Sequence, residues 1–424
     1  MDSLPALPSD QLDGLVTVLD LVRSGRATTK PELVRLSGLG RSVVTQRVAQ
    51  LLESGLLVDR GRGRSTGGRA PRELAVNSSA GVVLVAPVGA RHIGAGVADL
   101  GGRLLDWVVE PAEVSAGPDA VLARVEALFD QLLAGDAVPR GSEVYGVGLG
   151  VPGPVEFASG EPVSPPIMPG WHRYPIRRRL AARYDAPVWV DNDVNLMALG
   201  ELRAGVARGH DDVVFIKVGT GIGAGLVSAG QLHRGAQGCA GDIGHVLVDE
   251  SSGALCRCGK TGCLEALAGG TALVRDATAA AVEGRSERLL RVLGGPRDLS
   301  VAAVTEAARE GDLAAGELLG RSARLVGETV AQLVNFYNPA LVVVGGSVAA
   351  GGDAFLATIR ETVYRRSLPL ATRELRLLRS TVAPDPGLAG AAHMVLDELL
   401  SRDRLWRWLP YGSPAGRAEL MVSA

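Results

Sequence analysis

The chain opens with three stretches whose apolar residues recur at helical spacing. Leu12, Leu15, Val16, Leu19 and Val22 share one face over residues 12–24, which predicts an amphipathic helix. In TTKPELVRL, Thr29 and Glu32 form a capping-box pattern and Pro31 is tolerated in the first turn, so a second helix is predicted from near Thr29 to about Leu36. Ser37-Gly38-Leu39-Gly40 turns the chain. A third helix over residues 41–54 buries Val44, Val48, Leu51 and Leu52 and leaves Arg41, Ser42, Thr45, Gln46 and Arg47 near its exposed start. Two short apolar runs, 56–58 and 74–76, then flank a glycine-rich tip, the pattern of a β-hairpin.

After Asn77 the pattern changes to strand-like runs, among them GVVLVAPV, VYGVGLGV, APVWVD, DDVVFIKVG and PALVVVGG, alternating with helical segments. That alternation predicts an α/β architecture. VLVAPVGARHIGAGVAD and VVFIKVGTGIGAGLVS are alike enough to predict two duplicated lobes around a cleft, joined near residues 186–200. The expected division is an N-terminal unit over 1–78, a first α/β lobe over 79–190 and a second over 191–424. The tail from Arg402, with Trp406 and Trp408, receives no assignment.

A length of 424 residues fits several packed units, and a formal charge of -2 excludes bulk attraction to nucleic acid or anionic membrane. Any such binding is local. Residues 21–78 hold 11 Arg and Lys against 4 acids, and Arg60, Arg62, Arg64 and Arg69 surround the hairpin tip. A helix-turn-helix presents the start of its third helix to base edges while a basic hairpin reaches phosphates or the minor groove. A small helical domain with a solvated charged loop is the alternative. The apolar stretch 333–348 is broken by Asn335, Asn338, Pro339 and Gly345, so no membrane span is expected. The start, MDSLPALPSD, lacks the basic and apolar regions of a signal peptide, and a cytoplasmic location is expected.

Four cysteines are too few for a disulfide framework, and Cys256, Cys258 and Cys263 fall within eight residues. With His245 they complete a tetrahedral Zn²⁺ set that leaves no position for an activated water, so the zinc would be structural. A reduced thiol cluster without metal is the alternative, and Cys239 is expected in the core. The loop from Gly219 to Gly225 follows an apolar strand and either cradles a phosphate or forms a tight hairpin. Asp191-Asn192-Asp193 ends the strand PVWV, where α/β folds present ligand contacts. Asp193 is placed to act as a base toward a sugar hydroxyl with Asn192 beside it, or else to cap the next helix.

The wing RGRGRSTGGRAP, then GVPGPV, DNDVN, KVGTGIGAGLV, GDIGHV and CRCGKTGCLE occur in this order, and together they resemble the ROK family of repressors, open reading frames and sugar kinases, in its regulator branch. The resemblance covers about residues 12–400. It implies an N-terminal winged helix-turn-helix domain followed by a two-lobed α/β actin-like domain of the sugar-kinase kind. It also implies a sugar held by Asn192, Asp193, Asp242, His245 and Glu265, with His245 serving metal and sugar through different ring nitrogens. Two departures stand out. Asp242 replaces a glutamate, and Pro87-Val88-Gly89-Ala90-Arg91 replaces the Asp-x-Gly-Gly-Thr turn of kinase members, with Pro87 in place of the phosphate-loop Asp. Phosphoryl transfer depends on positioned phosphate and neutralised charge, so no catalytic residue is expected and Asp193 is left as a vestigial base.

The expectation is a sugar-responsive transcriptional regulator, a repressor, that binds operator DNA as a homodimer or tetramer. Arg41, Ser42, Thr45 and Gln46 would face bases, with Arg62, Arg64 and Arg69 on the wing. The alternative is an active ATP-dependent, glucokinase-like sugar kinase that carries a DNA-binding domain, supported by Asp193 and the GTGIGAG loop.

Overall fold

The computed structural model describes residues 9–62, 72–294 and 299–421. The N-terminal unit consists of α1 (Ser9–Arg23), α2 (Lys30–Ser37) and α3 (Arg41–Glu53), followed by β1 (Leu57–Arg62) and β2 (Arg72–Val76), which pair antiparallel. The capping box forms: the Thr29 side chain accepts from the Glu32 N–H, and the Glu32 carboxylate accepts from the Thr29 N–H at 3.0 Å. Leu15, Leu19, Leu33, Val44, Val48 and Leu51 close a small core. Arg47 departs from the expected exposed end of α3. It is buried beside Val44 and Val48, where it lies against Gly14 of α1 and donates to Gln50 Oε1 at 2.8 Å. Its position one turn after Val44 sets it on the inner face, and its long apolar stem fills the space beside the glycine.

Two five-stranded sheets follow. The first is ordered β5-β4-β3-β6-β9, from β3 (Val82–Pro87), β4 (His92–Asp99), β5 (Leu104–Pro111), β6 (Val144–Val151) and β9 (Val188–Asn192). Between its strands lie α4 (Pro118–Leu133), a short hairpin of β7 (Val155–Glu156) and β8 (Glu161–Pro162), and α5 (Ile176–Tyr184). After α6 (Asp193–Ala204) comes the second sheet, β12-β11-β10-β13-β14, from β10 (Val213–Val218), β11 (Ile222–Ser228), β12 (Gln231–His233), β13 (Leu341–Gly345) and β14 (Arg376–Arg379). Its helices are α7 (Leu264–Ala268), α8 (Gly270–Val282), α9 (Glu287–Leu293), α10 (Val301–Arg309), α11 (Leu313–Tyr337), α12 (Asp353–Arg366) and α13 (Pro369–Thr372). In each sheet three antiparallel strands are continued by two parallel ones. The repeat in the sequence is therefore a repeat in topology.

The lobes are stitched by an exchange of helices. α6 leaves the last strand of the first sheet and packs on β10 and β11 of the second, whereas α14 (Pro386–Leu399) leaves the last strand of the second and packs on β3 and β6 of the first. Residues 191–424 thus do not stay on one sheet. The two helices touch backbone to backbone: a Cβ on Gly390 would lie 1.7 Å from the Leu196 carbonyl oxygen, and one on Gly200 would lie 2.0 Å from that of Pro386. Only glycine fits at either point.

The tail forms α15 (Arg402–Trp408). Trp408 is buried, with its ring edge-on to Tyr145 and its indole N–H donating to the Leu399 carbonyl at 3.0 Å, while Trp406 remains exposed. Arg402 pairs with Asp13 of α1 at 2.6 Å, and the apolar core of the N-terminal unit runs on into that of α14 and α15. No helix among the described residues is long and apolar enough to cross a membrane.

Candidate functional site: an interlobe cleft beside a thiol cluster

A cleft of about 1190 Å³ opens between the sheets, reached by the end of β3, the β9–α6 junction, the β10–β11 turn and the start of α8. All five residues expected to hold a sugar line it. Asn192 is the N-cap of α6: its Oδ1 accepts from the N–H groups of Val194 and Asn195, and its Nδ2 donates to Gly153 O at 3.0 Å. That leaves one amide N–H for a ligand. Asp193 is buried rather than a solvated cap, and the Lys217 ammonium of β10 pairs with its Oδ2. Glu265, in the first turn of α7, accepts from the Ile222 N–H at 3.0 Å and so braces the β10–β11 turn. The glycine-rich segment is a tight antiparallel hairpin whose turn faces the cleft. Burial pushes the Asp242 carboxyl above its ordinary range, with His245 opposing.

Sequence reasoning missed two cleft residues, Lys217 and His92, and Arg234, which supports the cleft from behind. Lys217 carried a faint signal, as one of only three lysines and the lone charge in the strand VVFIKV. His92 lies 3.8 Å from Asp385, and burial first, then the Lys217 charge, holds its imidazole below the ordinary value despite Asp385 and Asp193. Behind Asn192, Arg234 donates to Asp191 at 2.7 Å and stacks over Phe157 at 3.7 Å, fixing the end of β9 from the opposite lobe. Pro87 stands at the cleft end of β3 with its ring against Gly94 and Gly387.

His245, Cys256, Cys258 and Cys263 converge, with one donor atom from each lying within 4.8 Å of the others. Cys258 Sγ and Cys263 Sγ are 3.8 Å apart, and His245 Nδ1 lies 3.5 Å from Cys256 Sγ. A tetrahedral ion with bonds of ~2.3 Å to sulfur and ~2.0 Å to nitrogen has edges of about 3.8 and 3.5 Å, so the set could hold such a metal. Burial and the neighbouring thiols push Cys263 up to about 12, and burial raises Cys256 as well, so ionising these two thiols calls for a cation. Gly259 and Gly262, both at positive φ, let the chain fold back between ligands. With Nδ1 toward the thiols, Nε2 is the remaining ring nitrogen, and His245 lines the cleft. Cys239 is exposed in the loop after β12 instead of lying in the core, because that loop passes over the surface between the lobes.

On α3, Arg41, Ser42, Thr45 and Gln46 are exposed and line a shallow concavity with Ala49. Arg64 and Arg69 lie outside the described residues, as does the side chain of Arg62.

The pattern of the ROK family matches residues 88–398. A putative xylose repressor from Caldicellulosiruptor sp. (strain Rt8B.4) is 28% identical over 385 residues, 91% of this chain and 95% of that one. The crystal structure of a ROK family glucokinase from Streptomyces griseus, in complex with glucose and AMPPNP, is 31% identical with a TM-score of 0.65 and covers 74% of this chain and 99% of its own. The crystal structure of a ROK family transcriptional regulator, a homolog of the E. coli MLC protein, shares the fold with a TM-score of 0.78 at 24% identity, over 93% of this chain and 98% of that one.

Proposed function

The chain belongs to the ROK family, in its regulator branch, and from that premise we propose that it is a DNA-binding repressor that responds to a sugar held between its lobes. The observation that carries this reading is the joining of two surfaces in one chain: the exposed start of α3, with Arg41, Ser42, Thr45 and Gln46, and the cleft with its fan of polar groups. The N-terminal unit acts as a winged helix-turn-helix, its third helix entering the major groove and the β1–β2 hairpin, with Arg62, Arg64 and Arg69, meeting the backbone. Residues 1–78 form this domain, residues 79–190 the first lobe and residues 191–424 the second lobe with the tail, with α6 and α14 exchanged between the lobes. Two half-sites require a second copy, so it works as a homodimer or a larger assembly.

Asn192, Asp193, Asp242, His245 and Glu265 bind the sugar hydroxyls, since carboxylate oxygens accept where hydroxyls donate. A structural zinc on His245, Cys256, Cys258 and Cys263 fixes the imidazole so that Nε2 faces the sugar. The chain does not phosphorylate its ligand. Pro87 offers no carboxylate at the end of β3, and Lys217 occupies Asp193, the position of the base.

The test is titration of the full chain onto the DNA upstream of its own gene at fixed salt, with and without D-xylose, D-glucose and their phosphates. Specific binding weakened by one sugar is expected, typically ~5- to 150-fold. Specific binding that no sugar alters overturns the sugar response. The glucokinase similarity favours a second reading, an active kinase. ATP consumption with any of these sugars, abolished by Asp193→Asn, would establish it.

A further inference from the structure

α6 reaches from the cleft to the N-terminal unit. Asn192 caps its start and Asp193 is its first residue, and in its last turn Arg203 donates from Nη2 to Asp397 Oδ2 of α14 at 2.8 Å. The other carboxylate oxygen, Oδ1, lies 2.5 Å from Nη1 of Arg23, the last residue of α1. One carboxylate therefore joins the two exchanged helices to the N-terminal unit. Burial would raise the Asp397 carboxyl, but Arg23 and Arg203 outweigh it and hold it below the ordinary range.

This junction is incompletely bonded. Arg203 Nε is shielded from solvent without a hydrogen-bond partner among the described residues, while Asp397 Oδ1 is held by Arg23 alone. The carboxylate thus has a second arrangement at hand: released by Arg23, it can take both Nε and Nη2 of Arg203 in the two-pronged geometry that a guanidinium favours. A group with two comparable pairings is what a two-state element requires. The glycine contact between α6 and α14 means that neither helix can shift at the cleft without carrying the other.

We propose that Asp397 is a latch that Arg23 and Arg203 share in one state and Arg203 holds alone in the other, and that α6 transmits occupancy of the cleft to it. This rests on the sugar-responsive reading above. Arg23 lies outside both the cleft and the DNA-facing end of α3, so Arg23→Gln removes the latch while leaving both surfaces intact.

The experiment is run on the full chain in two arms. In the first, the effect of D-xylose and D-glucose on affinity for the upstream DNA is compared between the native chain and Arg23→Gln, with sugar-induced thermal stabilisation read in parallel. The native response should fall to within about twofold of unity in the variant, against ~5-fold or more before, with stabilisation unchanged. A variant that responds as the native chain does overturns the latch. The second arm needs neither sugar nor DNA. Asn192→Ala, at the far end of α6, should alter amide hydrogen exchange in α1 of the native chain and leave it unaltered in Arg23→Gln. Exchange in α1 indifferent to Asn192→Ala overturns the latch whatever the sugars do. A native chain that no sugar affects, with the exchange coupling intact, overturns the sugar-responsive reading and supports the latch.

Discussion

Lys217 gives the cleft its character, because it sets a cation against the one acid that a kinase reading needs. Both groups are largely out of water, and removing one partner of such a pair leaves an uncompensated charge. Lys217→Met should therefore cost about 3–5 kcal/mol in urea unfolding, and adding Asp193→Asn should restore most of it; a single variant as stable as the native chain would mean that the pair contributes nothing. His393 gives a second residue-scale expectation. Burial, together with Arg23, Arg203 and Arg208, holds its imidazole down to about 4 from 6.5, against the pull of Asp397. A depressed histidine binds its proton more readily in the unfolded chain, so the stability it contributes is complete above about pH 6.5 and is lost as the pH falls toward 4. Over that window the loss should reach roughly 3 kcal/mol, and His393→Leu should flatten this part of the stability profile. The cysteine cluster was legible because its ligands are close in sequence. The Lys217 partnership was not, since it joins residues 24 apart that meet only when α6 crosses beneath the other sheet.

At the scale of elements, periodicity located the three N-terminal helices and the capping box, and the internal likeness of two strand pairs announced the matched sheets. It gave no sign of the exchange of α6 and α14, because apolar alternation says that a helix face is buried without saying against what. Gly200 and Gly390 were equally silent, since a glycine in a helix reads as a local weakness unless the partner helix is known. Gly390→Ala forces a methyl onto a backbone carbonyl and should destabilise the chain by more than ~3 kcal/mol, beyond ordinary overpacking, with chemical unfolding as the check. Gly316, in α11, has open space around its Cβ position and serves as the control: alanine there should be neutral or mildly stabilising.

For the whole molecule, two lobes around a ligand-sized opening were foreseeable from the strand pattern, and the packing of the N-terminal unit was not. If zinc holds His245 in place, chelation at neutral pH should lower the melting temperature and weaken sugar binding together, and Cys258→Ser should do the same. Loss of stability with unchanged sugar affinity would separate the metal from the cleft.

The continuous core that α1 shares with α14 and α15 bears on how such chains can be recombined. A chimera that transplants the first 78 residues onto another body would leave behind α15 with Arg402, the partner of Asp13, exposing apolar surface on both halves. The transferable module is discontinuous: the N-terminal unit together with α15, since α14 belongs to the packing of the lobes. Exchanging specificities by splicing at the apparent domain boundary should yield aggregating proteins, whereas moving both ends together should give chimeras that fold.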